Sequence, residues 1–270
     1  MLEGLRRSAV ETVLTRHAGH AAELAEGARD YGGVVAVGGD GTLFEVLNGI
    51  DRAQQRIALI PAGRGNSLAR DLGLMHRSSF LDVIHWNGAR QLDLMQVTVT
   101  TAQGVQSTHL SASTVALGYP AAVTLRARTM ARLGKLSYAA AAAACWPAYF
   151  VARVQYGDGL PREVRLSGFV ANNTKHLANF VAFRGASCCD GVFQVMEMDA
   201  GLVKQTAHNL SALSGTGIYE PYAALQARHA KVWLETPQEL MMDGEIFRDV
   251  VAVDVRILPS AVACNGPRAR

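Results

Sequence analysis

The chain has 270 residues, 49% of them hydrophobic and 18% charged, which supplies enough apolar material for one large core or two modest ones. A formal net charge of +3 is too mild to argue for a nucleic-acid partner, though it permits attraction to an anionic membrane surface. Cys145, Cys188, Cys189 and Cys264 lack metal-ligand spacing, and the opening MLEGLRRSAVETVL has no apolar signal-peptide core, so a reducing cytoplasm is the expected compartment. Cys188 and Cys189 are neighbours, and in a strand their side chains would point to opposite faces, which speaks against an ordinary disulfide between them. The most hydrophobic window, Tyr138 to Ala152, is mostly alanine, contains Pro147, and is shorter than the ~20 residues a spanning helix needs.

Taken in order, Val10 to Leu14 is a short β-prone run and His17 to Tyr31 has amphipathic helical spacing. Val34 to Val37 is a continuous apolar run suited to a strand buried on both faces. Gly38, Gly39 and Gly41 then bracket one carboxylate, Asp40, in a turn that lets backbone approach a ligand closely. Thr42 to Glu45 has the form of a capping box, and Leu43, Phe44, Val46 and Leu47 give the following helix an apolar surface. Strand, glycine turn and helix N-terminus together aim backbone N–H groups at a phosphate.

The unit repeats at once. Arg56 to Ile60 reads as a buried strand, Pro61 to Ser67 as a turn containing Gly63, Arg64, Gly65 and Asn66, and Leu68 to Leu72 as the start of a helix. Two such units predict an open α/β sheet with its ligand at the carboxyl ends of the strands. GGDGT followed by EVLNG, then PAGRGN, resembles the catalytic signature of the diacylglycerol kinase and sphingosine kinase superfamily, including its bacterial soluble lipid kinases. NAD kinases and phosphofructokinases share the GGDGT core, but the second loop distinguishes the lipid kinases. In that family a further strand with an Asn-Pro and Ser-Gly phosphate loop precedes the equivalent of Val10, and this chain begins after it. Ser67 stands where many bacterial lipid kinases carry Asp.

Leu81 to Trp86 is expected to be a helix, followed by strands at Gln91 to Thr100 and Gln106 to Ala112. Leu125 to Tyr138 is a basic helical stretch and Ala139 to Phe150 a helix of small residues. Alternating segments at Val151–Tyr156, Glu163–Asn172, Phe180–Phe183, Val192–Met198, Ala230–Glu235 and Val250–Ile257 then predict antiparallel β structure, interrupted by a helix at Val203–Ala212. The expected architecture is therefore α/β plus all-β. An N-terminal nucleotide-binding domain spans residues 1–110, joined again by residues 253–270, and a C-terminal antiparallel β-sandwich that holds lipid spans residues 111–252.

Two motifs lie in the second half. Met242-Asp243-Gly244-Glu245 matches the family's D-G-E element, which folds back to the active site. Asp190-Gly191 stands where lipid kinases often have Asp-Asp-Gly, whose carboxylates help organise a structural magnesium; here only Asp190 remains, and an Asp-Gly turn is the better account of it.

The resemblance implies transfer of the γ-phosphate of ATP, with Mg2+, to a lipid hydroxyl. Asp40 would be base or magnesium organiser, with Asp243 and Glu245 as partners. Gly38, Gly39, Gly41, Thr42, Gly63, Arg64, Gly65 and Asn66 would bind the nucleotide, and Asp190 is the metal candidate. Glu45 and Asn48 are assigned to capping and helix packing, and His109, His176 and His208 to structure. Sphingosine kinases carry aspartates near the positions of Ala122 and Thr124, one of which meets the lipid amine, so an uncharged pair here points to diacylglycerol or a similar neutral lipid. The implied partners are a lipid and a transiently touched membrane surface, with room for a homodimer. Two other readings stand beside this one: a soluble-metabolite kinase of the NAD kinase type, and a non-catalytic lipid-binding domain of the same family.

Overall fold

The computed structural model describes residues 10–63, 65–75, 89–130, 132, 134, 137–145, 148–177, 181–183, 185–199 and 225–265. The helices expected at 81–86 and 203–212, together with Arg64 and His208, lie outside the described residues.

The chain enters without the expected strand. Residues 10–14 form no strand and no ladder pairing among the described residues, and Val13 and Leu14 are 51% and 71% exposed. Helix α1 (His20–Gly27) follows, then β1 (Gly33–Gly38), α2 (Asp40–Gly49), β2 (Arg56–Pro61) and the short α3 (Ser67–Asp71). β1 and β2 are parallel and in step from Gly33↔Arg56 to Gly38↔Pro61, so their two glycine loops emerge side by side at one sheet edge. Without a strand at 10–14, β1 pairs only with β2 among the described residues.

The expected capping box at Thr42–Glu45 does not form. Helix α2 begins three residues earlier, at Asp40, with Gly39 rather than Thr42 as N-cap and no side-chain cap. The Glu45 carboxylate instead accepts the N–H groups of Gly19 (2.8 Å) and Ala21 (3.0 Å), so it caps the preceding helix α1. A glutamate on one helix satisfies the orphan donors of another, and the charge also suits the positive end of the α1 dipole. Gly49 lets the same two helices touch, since an added Cβ would stand 2.2 Å from the Ala22 carbonyl oxygen. Asn48 fastens α2 on its other side: its amide donates to the carbonyls of Phe44 and Leu110 and its oxygen accepts the Leu110 N–H.

The remaining elements are mostly strands: β3 (Ala89–Thr101), β4 (Gln106–Ser111), β5 (Thr114–Gly118), helices α4 (Tyr119–Thr129) and α5 (Ser137–Ala144), β6 (Phe150–Tyr156), β7 (Arg162–Asn172), the small pair β8 (His176–Leu177) and β9 (Val181–Ala182), β10 (Phe193–Asp199), β11 (Leu225–Ala227), β12 (His229–Met242) and β13 (Glu245–Asn265). The basic helix thus starts earlier and ends sooner than the expected 125–138. Its Pro120 occupies the first turn, where the missing N–H costs nothing.

These strands close on themselves. β5 pairs with β7 and β12, and β6 pairs with the same two, so β5, β7, β6 and β12 form a ring of antiparallel neighbours, a small barrel rather than two stacked sheets. Its interior is packed by Leu117, Phe150, Val154, Phe169, Phe193 and Val232, all nearly inaccessible to solvent. β13 joins the two halves. At its start it pairs with β12, along most of its length with β3, and at its end, parallel, with β2 through Cys264↔Ile57 and Asn265↔Ala58. A second cluster, including Leu47, Ile57, Leu68, Leu92 and Leu94, packs the α/β half. Phe44, from α2, belongs to the barrel cluster instead and stacks near His109 and Phe247. His109 is therefore a packing residue, and burial lowers its pKa.

Candidate functional site

The two glycine loops are built to meet. An added Cβ on Gly63 would lie 2.3 Å from the Cα of Gly39, and one on Gly39 would lie 3.0 Å from the Cα of Gly63. Only glycine at both positions allows that backbone approach. The Ala62 N–H donates to the Gly38 carbonyl at 2.9 Å, extending the β1–β2 ladder into the loops. Asn66 closes the second loop: its oxygen accepts the Gly63 N–H (3.1 Å) and its amide donates to the Gly63 carbonyl (2.7 Å). It does so from a left-handed backbone, φ 52°, a conformation asparagine tolerates better than most residues. Thr42 lies against Gly38, where a Cβ would stand 2.3 Å from its hydroxyl oxygen.

Asp40 sits where the loops converge. Its carboxylate accepts the Ser67 N–H at 2.8 Å, the first N–H of α3, and the nearby backbone N–H groups of Asn66 and of Asp40 itself also favour its charged form. An added Cβ on Gly65 would stand 2.6 Å from its other oxygen, Oδ2. Burial pushes the carboxyl above its ordinary value, against those backbone donors and the charge of Arg70. The acid named in the turn is thus also the tie between the two loops.

Glu245 reaches the same place from the far side. An added Cβ on Gly41 would stand 2.8 Å from Glu245 Oε1, so the carboxylate rests on bare backbone at the start of α2. The same oxygen accepts from Arg128 Nη2 at 3.1 Å, and Arg128 also donates to the Gly244 carbonyl. Arg128 escaped the sequence reading. It lay in a stretch recognised only as basic, and its partner is 117 positions away. The structure thus brings together Asp40, Gly39, Gly41, Gly63, Gly65, Asn66, Glu245 and Arg128.

Asp243 serves that assembly differently. Only 3% exposed, its carboxylate accepts four hydrogen bonds: from the Ala112 N–H to Oδ2 (2.7 Å), and to Oδ1 from the Ser113 N–H (3.0 Å), the Thr114 N–H (2.8 Å) and the Ser111 hydroxyl (3.0 Å). These partners lie just before and at the start of β5, so Asp243 staples the hairpin that carries Glu245 onto the barrel. With its oxygens so occupied it is a positioning residue. Its backbone is left-handed at φ 47°, as the tight turn into Gly244 demands.

Burial pushes the Asp243 carboxyl up to about 6, with the hydrogen bonds from Thr114, Ala112 and Ser111 opposing the rise and the nearby charge of Asp40 adding to it. The folded protein therefore holds this proton more tightly than the unfolded chain, whose aspartates titrate near ~4. The resulting stability is fully present below about pH 4 and is lost as pH rises through about 6. Thermal melts of the wild type and Asp243→Asn should show it. Other carboxylates shift both proteins alike, so the wild type should lose ground relative to the variant between about pH 4 and 6 and then stay level. Parallel curves would mean the group does not titrate there.

Asp190 stands apart. It is exposed, and its carboxylate accepts the Val192 N–H at 3.2 Å, closing its own turn. Buried Asp93, which faces the same cavity of about 570 Å³, has each oxygen engaged by a backbone N–H, from Gly191 (2.6 Å) and Ser260 (2.8 Å). Among the described residues no group of three or more His, Cys, Asp or Glu is placed to hold a metal ion. His176 pairs with Asp71 at the end of α3, which also accepts the Lys175 N–H, and so ties the second loop's helix to the β8–β9 pair.

Residues 3–97 match the family model of the diacylglycerol kinase catalytic domain. Over 254 residues the chain is 28% identical to a diacylglycerol kinase of Bacillus subtilis (strain 168), covering 90% of this chain and 80% of the relative. A crystal structure of a putative diacylglycerol kinase from Bacillus anthracis str. Sterne superposes with a TM-score of 0.74 at 19% identity, over 94% of this chain and 83% of that one. An NAD kinase from Archaeoglobus fulgidus, in complex with ATP, is a more distant fold likeness: TM-score 0.52 and 13% identity, over 97% of this chain and 86% of that one.

Proposed function

We propose that this chain, whose residues 3–97 belong to the diacylglycerol kinase catalytic domain family, transfers the γ-phosphate of ATP to the hydroxyl of a neutral glycerolipid such as diacylglycerol. One observation carries the reading: two glycine loops in backbone contact, with Asp40 held between them and Glu245 laid against the first. Gly39 and Gly63 bring the two loops into backbone contact, Gly41 and Gly65 admit the carboxylates of Glu245 and Asp40, and the amino end of α2 offers a positive dipole to a phosphate. Phosphoryl transfer asks mainly for positioning and charge neutralisation. Magnesium arriving with the nucleotide would neutralise phosphate charge, and Glu245 is the carboxylate that would hold it.

Asp40 takes the proton from the lipid hydroxyl as its oxygen bonds to phosphorus and the β–γ bridge breaks. A carboxyl raised by burial is better matched to that task than an exposed one. Arg128, held by Glu245 and Gly244, supplies positive charge at the mouth of the site. The neutral-lipid preference rests on Ala122 and Thr124. The Thr124 hydroxyl donates to the Pro120 carbonyl at 3.0 Å, and neither side chain offers a charge to pair with a lipid ammonium. No described helix is long and apolar enough to cross a membrane, so lipid would be met at a surface.

The test is direct. Purified protein with labelled ATP, magnesium and mixed micelles should convert diacylglycerol to its phosphate faster than sphingosine, and should not phosphorylate NAD. Asp40→Asn should cut turnover by about 100-fold or more while leaving the melting temperature within a few degrees. Phosphorylated NAD, or a clear sphingosine preference, would replace the substrate. Near-normal turnover in the variant would remove Asp40 from the chemistry, and no phosphoryl transfer to any acceptor would favour the non-catalytic reading.

A further inference from the structure

We infer that Cys188 and Cys189 form a peroxide-sensitive vicinal dithiol, a modification site that closes to a disulfide between adjacent residues and loosens the turn that carries it. The sequence reading placed the two thiols on opposite faces of a strand. In the structure residues 188–191 are instead a turn, ahead of β10, and the two sulfur atoms lie 3.8 Å apart. All four described cysteines are free.

The pair is asymmetric in the way stepwise oxidation requires. Cys189 is exposed and opens onto the cavity of about 570 Å³ whose lining includes Arg228, His229 and Arg256, so a small oxidant reaches it. Cys188 is 4% exposed and packs in the α/β core. The thiolate is the nucleophile in this chemistry.

The reaction balances with hydrogen peroxide as the oxidant. The Cys189 thiolate attacks one peroxide oxygen, the O–O bond breaks, and hydroxide leaves to give a sulfenic acid. The Cys188 sulfur then attacks the Cys189 sulfur and displaces the second hydroxide, which takes the Cys188 proton. Two thiols and one peroxide yield one disulfide and two waters.

Closure distorts an anchored segment. The sulfur atoms must come to about 2.05 Å, and the ring they close contains the 188–189 peptide itself. That peptide is not free to turn: the Cys188 carbonyl accepts the Asp93 N–H at 2.8 Å, while the Gly191 N–H is held by the Asp93 carboxylate at 2.6 Å. A cross-link between neighbours removes almost no unfolded-chain entropy, so nothing offsets the distortion. The oxidised form should therefore be the less stable one.

The experiment uses the full chain and needs no kinase assay, so it is separable from the proposed activity. Mild hydrogen peroxide should lower the intact mass by about 2 Da, leave two of the four thiols open to alkylation after denaturation, and lower the melting temperature by about 3 °C or more. Dithiothreitol should restore all three readings. Cys189→Ser should abolish the mass loss, and Cys264→Ala should keep it. The inference is overturned if Cys189 passes to sulfinic acid with Cys188 still alkylatable, if the bond forms to Cys264 or between two chains, or if the oxidised form melts no lower than the reduced one.

Discussion

Gly63→Ala should abolish at least 99% of ATP-dependent turnover in a protein that still folds. The added methyl would stand 2.3 Å from the Cα of Gly39, 3.1 Å from its nitrogen and 2.8 Å from the Asn66 side-chain oxygen. Two of those three atoms are backbone, so relief requires the two loops to separate. A misplacement of about 1 Å at a reacting centre can cost about 100-fold in rate. Stability should fall only by about 1–3 kcal/mol, the usual cost of overpacking. Gly27→Ala is the control, because a Cβ there meets nothing within 4 Å. It should leave turnover unchanged, since it lies at the end of α1, away from both loops. Steady-state kinetics with ATP varied, together with melting curves, separate the two variants. Comparable turnover for Gly63→Ala and the wild type would show that the loop contact does not set the nucleotide site.

The second large effect falls on stability. Asp243→Ala should lower it by about 3–5 kcal/mol at neutral pH, because it strands three backbone N–H groups and a hydroxyl in a buried place. For a chain of this size that corresponds to a melting temperature lower by about 10 °C. Activity should fall as well, since the hairpin carrying Glu245 loses its anchor on the start of β5. Asp243→Asn keeps the shape but turns an amide N–H toward a backbone donor, so it should recover only part of the loss. A melting temperature within about 2 °C of wild type for Asp243→Ala would mean that water replaces the carboxylate at little cost.

How much of this could be read from the amino acids depends on how far apart the interacting groups lie along the chain. The glycine loops were legible because their requirement is local: an apolar strand, residues without Cβ, then a helix start. Asp40 was legible because it is the only carboxylate within such a turn. Strand alternation likewise foretold β-structure at Val151–Tyr156 and Glu163–Asn172, which became β6 and β7. The capping box misled because Thr42 and Glu45 have the right spacing for a local cap. Glycine at the N-cap started the helix earlier, leaving Glu45 to take the N–H groups of Gly19 and Ala21. The strand expected at Val10–Leu14 had β-prone residues but pairs with no strand among the described residues, and propensity alone does not hold a strand.

What only the tertiary structure decided is everything that pairs distant positions. Ser111–Thr114 wrap Asp243 from about 130 residues away, and Arg128 meets Glu245 across 117. β13 runs from the barrel to β2, which made the shared sheet visible only once strands were paired. Closure of β5, β7, β6 and β12 into a ring rather than two stacked sheets is a matter of register, and alternation is the same for both. The turn that brings two neighbouring thiols within 3.8 Å likewise depends on Asp93, a buried anchor that no local pattern around Cys188 announces. Chain conformation and loop chemistry are short-range properties that sequence determines directly. Burial, hydrogen-bond partners and shifted carboxyls arise from contacts whose loop-closure cost is met only by the assembled fold.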